Sequence, residues 1–145
     1  AADYPAGTVG HGATFVTNKR KIAADDFFLG LFETALEPGE IIVGVRFPIP
    51  VWSHYQKLRH PASGYAVVGV LVAQTKSGVR VAVTGAGPSV FRVKAMEEAL
   101  TKDFSVKAIE GIKVDASDLN NDIHASADYR AHVVTVLAKR AVAAR

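Results

Sequence analysis

Cysteine is absent from this 145-residue chain. That excludes a disulfide framework, a thiolate-held zinc or iron–sulfur centre, and a thiol nucleophile within it. A long apolar run is missing as well. Spanning a bilayer takes about 20 consecutive apolar residues, and every apolar stretch here is broken by Gly, Pro or charge. Charge of one sign is not concentrated: 17 Lys+Arg stand against 14 Asp+Glu, a net charge of +3. The one basic run, Asn18–Lys21, reads as a solvated turn, whereas nucleic-acid binding wants a basic face with stacking aromatics. No nucleic-acid partner and no transmembrane segment are therefore expected.

Catalytic signatures are equally sparse. There is no Gly-x-Ser-x-Gly elbow. His11, His54, His60, His124 and His132 form no HxxxH pair. His54 and His60 share a strand parity but would lie about 20 Å apart at strand rise, so no metal site is expected. Asp25-Asp26 and Glu97-Glu98 are sequence neighbours whose carboxylates point apart, as caps and solvated faces do. Gly85-Ala86-Gly87 lies between a strand and a helix, where a phosphate loop would sit. It lacks the third glycine of a dinucleotide fingerprint, which would fall at Val90, and Pro88 removes one N–H. A plain strand-to-helix turn is the better reading. No residue is assigned a catalytic role.

What is present is ordinary globular material: 49% hydrophobic and 21% charged residues. A chain of this length buries roughly 68–70% of its unfolded surface and needs no covalent staple. It opens on Ala1-Ala2-Asp3, without Met or a signal peptide, and reads as a processed or truncated piece. Residues 1–50 alternate short apolar runs with turns. Ala13–Thr17 predicts a strand. Phe27, Phe28, Leu31 and Phe32 have the spacing of a helical turn, with Asp25 and Asp26 placed to cap it. Glu40–Phe47 predicts a strand closed by Pro48 and Pro50, the natural boundary with the second half of the chain.

Residues 51–145 predict an α+β unit. Trp52–Arg59, Tyr65–Ala73 and Val79–Thr84 form three antiparallel strands, with Val79, Val81 and Val83 on one face. Helices come next, over Phe91–Leu100 and, more briefly, Phe104–Ile112. The last helix starts at Ser126 and carries Tyr129, Val133, Val136, Leu137 and Arg140 on one face. The polar segment Asp115–His124 reads as a loop.

Several plain segments, taken in order, resemble one family. They are Lys21–Gly30, Thr34–Ile42, Val45–Pro48, Tyr55–Arg59, Tyr65–Val70 and Ala125–Arg130. The family is the FAD-binding (medium) subunit of molybdenum hydroxylases, of the aerobic carbon monoxide dehydrogenase and xanthine dehydrogenase type. The match runs along nearly the whole chain. It implies that residues 1–50 are the tail of the second FAD-binding subdomain. Residues 51–145 would be the C-terminal domain, a three-stranded antiparallel sheet beside a small helical bundle.

The resemblance also implies a redox role. Electrons would pass from iron–sulfur clusters through FAD to an external acceptor. Molybdopterin and [2Fe-2S] clusters would reside in the large and small partner subunits of a heterotrimer, itself dimerised, in the cytoplasm. The family's two glycine-rich diphosphate loops lie upstream of the stretch matched here, so this chain alone is expected to bind FAD poorly and to be inactive. Three residues line up with flavin contacts: Asp3 after the second loop, Ile42 on a strand beside the flavin, and Lys57 beside its ring. Tyr55 and Tyr65 suit either the isoalloxazine edge or strand packing. Without the resemblance, Lys57 would read as a snorkelling surface lysine. A non-redox docking and assembly role for the C-terminal domain stays open beside the redox role.

Overall fold

The computed structural model describes residues 1–145 as three layers around a central antiparallel sheet. That sheet runs β6 (Trp52–Arg59), β7 (Ala66–Thr75), β8 (Gly78–Thr84) and the two-residue β9 (Phe91–Arg92), hydrogen-bonded in that order. The three long strands are those expected from sequence, and β9 adds a short fourth. β7 and β8 pair from Gly69↔Thr84 to Thr75↔Gly78 around a tight turn. Their alternation sets one core: Val68, Val70 and Val72 face the same side as Val79, Val81 and Val83. Helices α2 (Lys94–Lys102) and α3 (Ala127–Ala143) cover that side with Met96, Leu100, Val134, Leu137 and Ala141. Each fully buried valine is worth roughly 1.5–3 kcal/mol.

The opposite face of the sheet is also buried. Helix α1 (Asp3–His11) lies across β7 and β8, with Ala6 against Leu71 and Ala73 and Val9 near Ala82. Propensity alone predicts no helix here, because Pro5, Gly7 and Gly10 all depress it. Pro5 falls in the first turn, where its missing N–H costs nothing. Gly10 is required by packing, since any Cβ there would strike the Leu71 side chain. Gly12 ends the helix in the left-handed region at φ 65° and returns its N–H to Thr8 and Val9.

Beyond α1 sits a smaller sheet ordered β2 (Lys21–Ala23), β1 (Thr14–Thr17), β5 (Ile42–Arg46). The helical turn expected at Phe27–Phe32 is instead a hairpin of β3 (Phe28–Gly30) and β4 (Glu33–Thr34). Phe27 leaves that segment to stack on Phe15 at 3.8 Å between ring centroids. Leu31 and Phe32 form an exposed tip, and Phe32 takes a left-handed φ of 57°. Asp25 caps nothing. It bridges Arg80 and Arg92, tying the small sheet's end of the molecule to the central sheet. Glu97, expected on a solvated face, is 5% exposed and accepts from Arg92 and from the Val81 N–H. The second helix begins at Lys94 rather than Phe91, and Lys107–Ile109 is a single 3₁₀ turn. On α3, Ser126 caps the Tyr129 N–H as expected. The buried stripe is rotated toward Arg130, Val134, Ala138 and Ala141, leaving Tyr129 exposed and Arg140 outside the core.

One ion cluster fixes the start of β5. The Glu40 carboxylate is buried and accepts from Arg20, from the Glu37 N–H and from the Thr17 hydroxyl. The Arg20 bond, then those of Glu37 and Thr17, hold its carboxyl down to about 2. A depressed carboxyl contributes stability above its unfolded range and loses it as pH falls through the folded value. Stability should therefore decline from about pH 4.3 downward, where free Glu begins to protonate. Urea midpoints measured across that range should show the decline, and Glu40→Gln should flatten it while lowering stability at neutral pH.

Candidate functional site

An open cleft of about 390 Å³ lies where the first residues of β7 meet three loops. Ala66 and Val67 form its floor. The β6–β7 loop contributes His60 and Ser63, the β8–β9 loop Gly85, Gly87 and Pro88, and the segment before α3 Asn120, Asp122 and His124. Leu31 from the β3–β4 tip closes one side, and Arg130 lies at the base. Tyr65 is 62% exposed at the rim, so it is not a strand-packing residue.

Asp3, Tyr55 and Lys57 converge nearby. Tyr55 and Lys57 are two apart on β6 and so project to one face. The Tyr55 hydroxyl donates to Asp3 Oδ1 at 2.6 Å and the Lys57 ammonium to Asp3 Oδ2 at 2.8 Å. Lys57 also donates to the Gly64 carbonyl at 3.1 Å, pinning the loop that leads to Tyr65. Gly69, opposite Lys57 on β7, lets Tyr55 lie across the sheet, because a Cβ there would meet the Tyr55 hydroxyl. Partial burial pushes the Asp3 carboxyl up, but the bonds from Lys57 and Tyr55 more than offset it and hold it below the usual range. Burial first, then the Asp3 bond and charge, raise the Tyr55 phenol, so it stays protonated and donates.

Of the three residues singled out by sequence, the structure joins Asp3 and Lys57. Ile42 lies apart on β5, paired with Thr17, with no contact to the other two. Arg130 and Asn120 are the residues that sequence reasoning missed. Arg130 donates to the Val67 and Gly85 carbonyls and makes a two-pronged pair with Asp122. Asn120 donates to the Gly85 and Gly87 carbonyls. The Gly85 and Gly87 carbonyls are thus held by protein donors, and the loop leads into β9 rather than straight into a helix N-terminus. His60 meets His124 at 3.3 Å, a contact between residues 64 positions apart that no spacing rule signals. His60 Nδ1 accepts from the Ala62 and Ser63 N–H groups, so Nε2 carries the proton and neither nitrogen is free for a metal. No third ligand-type side chain joins the pair.

The arrangement combines an exposed aromatic, an anchored cation and an open loop cleft at one end of the central sheet. Its fold superimposes on the crystal structure of quinoline 2-oxidoreductase from Pseudomonas putida 86 with a TM-score of 0.80, 23% identity, and coverage of 99% of this chain and 55% of that one. Residues 53–144 match the CO dehydrogenase flavoprotein C-terminal domain, and the chain belongs to that family. Over 97% of its length it is 30% identical to the carbon monoxide dehydrogenase medium chain of Hydrogenophaga pseudoflava. Over 88% it is 33% identical to the nicotine 6-hydroxylase medium subunit of Paenarthrobacter nicotinovorans. It spans 54% and 48% of those two relatives, about half their length. No helix is long and apolar enough to cross a membrane.

Proposed function

We propose that this chain forms the ring-side wall of an FAD site in a molybdenum hydroxylase medium subunit. The observation that carries this reading is the Asp3–Tyr55–Lys57 cluster beside a cleft rimmed by Tyr65. The residues fit one part of FAD and not the other. Tyr65 offers an exposed aromatic face, and Lys57 a half-buried cation held at a fixed height by Asp3 and Gly64. The diphosphate finds no such fit here: α1 begins with an acidic residue, α3 is capped by Ser126, and the Gly85–Gly87 loop leads into β9 rather than a helix N-terminus. When bound, FAD supplies the electron storage and transfer.

This chain's residues then bias and orient. Lys57 stabilises negative charge on the ring side. Asp3 and Tyr55 lock its rotamer, and Tyr65 limits access of water to one face. Residues 1–50 would complete the second FAD-binding subdomain and residues 51–145 the C-terminal domain. Ile42 would face the flavin only once the rest of the subunit is assembled around β5. Partners would be an iron–sulfur small subunit and a molybdopterin large subunit, with electrons leaving to an external acceptor.

Lys57→Gln in the intact subunit tests the reading. The flavin midpoint potential should fall by roughly 30 mV or more, since about 1.4 kcal/mol corresponds to that shift for two electrons. An unchanged potential with impaired subunit assembly would favour the docking role instead, for which the exposed apolar β5 is the supporting observation.

A further inference from the structure

His60 and His124 reach the cleft from two different segments, the β6–β7 loop and the stretch before α3. Their rings meet edge to face at 84°, with centroids 4.6 Å apart. Every proton in the contact is placed by its neighbours. His60 Nδ1 accepts from the Ala62 N–H at 3.3 Å and the Ser63 N–H at 3.2 Å, so the neutral ring carries its proton on Nε2. That proton goes to His124 Nδ1 at 3.3 Å, so His124 in turn carries its own on Nε2. A further proton does not fit. On His60 Nδ1 it would face two N–H groups, and on His124 Nδ1 it would face the His60 N–H. Either imidazole can charge only by giving up bonds that hold the loop.

The surrounding charge does not offset that loss. Lys57 reaches the Gly64 carbonyl, the Arg59 guanidinium packs beside Gly64, and Arg130 lies at the base of the cleft. Asp3 is taken by Lys57, and Asp122 by Arg130 and the His124 and Ala125 N–H groups. Three cations therefore stand against two carboxylates that are already paired, before the Ala1 amino group in the cleft lining is counted. Tyr65 adds a phenol at the rim, while the β8–β9 loop and the β3–β4 tip bring no charge to the lining. The loop itself is lightly held. Pro61, Ala62 and Ser63 are exposed, and two backbone bonds close it: Gly64 N–H to the His60 carbonyl at 2.9 Å and His60 N–H to the Tyr65 carbonyl at 2.8 Å.

We infer that the two histidines form a proton-operated latch on the cleft. Neutral, they hold the β6–β7 loop against the segment before α3. With one more proton the loop lets go, and Tyr65 at the rim is released with it. Imidazoles change charge between about pH 5 and 8, so the latch opens as pH falls through that span. The latch is built from this chain alone and does not rest on the flavin reading.

NMR of the 145-residue chain tests it. Imidazole nitrogen shifts read the tautomers, and amide exchange, corrected for its intrinsic pH dependence, reads the loop. At pH 8 both rings should be protonated on Nε2 only. Protection of the His60 and Gly64 amides should fall at least tenfold from pH 8 to pH 5 as the pair charges, while amides of β7 and β8 stay protected. Both pH values lie above the range in which the Glu40 cluster weakens. His124→Phe removes the acceptor and should leave the loop poorly protected at both values. His124→Asn, whose carbonyl can take the His60 N–H, should restore protection at pH 8. His132→Gln, exposed on α3, should change nothing. Loop protection that stays constant from pH 8 to pH 5 overturns the inference, as does a fall that persists unaltered in His124→Phe, or a His60 protonated on Nδ1 at pH 8. The titration of the unsubstituted chain decides the matter even if His124→Phe folds poorly.

Discussion

Arg130→Met is expected to lower folding stability by about 3 kcal/mol, reckoned from two charge-assisted bonds to carbonyls at roughly 1.5–3 kcal/mol each, offset in part because the Gly85 carbonyl keeps its bond from Asn120. Arg130 is 3% exposed, and its Nη1 reaches the Val67 carbonyl at 2.6 Å and the Gly85 carbonyl at 3.2 Å. Its Nη2 meets both Asp122 oxygens at 2.9 and 2.8 Å. Asp122 is half-exposed and keeps the N–H bonds of His124 and Ala125, so it turns to water at little cost. Arg130 Nε has no partner, an existing cost in the folded state that moderates the loss. For a domain of this size the melting temperature should fall by roughly 6–12 °C. Arg130→Lys should rescue little of it, because a single ammonium cannot reach both carbonyls and the carboxylate. Asp122→Asn should cost less than about 1 kcal/mol. A thermal melt of the three variants orders them, and Asp122→Asn falling with Arg130→Met would show that the ion pair, not carbonyl bonding, dominates.

Legibility from sequence tracked the kind of signal each element carries. β6 to β8 and α3 were readable because β-branched alternation and an N-cap serine are local facts, sufficient when one face meets a core. The Phe27–Phe32 segment misled because four apolar residues in helical spacing say nothing about where each side chain goes. Phe27 is claimed by Phe15 from another strand, and Gly30 opens the turn. α1 was hidden by Pro5, Gly7 and Gly10, of which Gly10 is kept for close packing on Leu71 rather than for propensity. In the site, Asp3 and Lys57 lie 54 positions apart. Only the family resemblance paired them in function, since no spacing rule can. Arg130 was invisible for a related reason: an arginine on an amphipathic helix reads as surface until the loop carbonyls it serves are in place. On α3, Val133 and Leu137 are buried as read, while Ala131, Ala138 and Ala141 share the covered face in place of Tyr129 and Arg140, because hydrophobic patterning ranks alanine below larger side chains.

Gly85→Ala should be the most damaging single methyl in the chain. Gly85 has φ 78°, a conformation that costs an L-residue roughly 1–2 kcal/mol. The added Cβ would run into the Ala66 carbonyl oxygen and approach that of Val67 at 2.9 Å. Both obstacles are backbone atoms of β7 and its first residues, held within the sheet, so neither can swing away as a side-chain tip would. Overpacking of that sort costs about 1–3 kcal/mol, bringing the expected total to roughly 2–5 kcal/mol. Gly7 is the control. It lies within α1 with nothing within 4 Å of an added methyl, so Gly7→Ala should stabilise by about 0.5–1 kcal/mol. The Gly85 effect also reaches the cleft, because its carbonyl is one that Arg130 and Asn120 hold, and Val67 is the other end of the Arg130 grip. Displacing Gly85 loosens the same bonds that Arg130→Met deletes. The double variant should therefore cost less than the sum of the two singles, by about 1 kcal/mol, as groups sharing partners do. Urea unfolding of the four proteins in the cycle measures that coupling, and strict additivity would mean that the loop and the arginine stabilise the cleft independently.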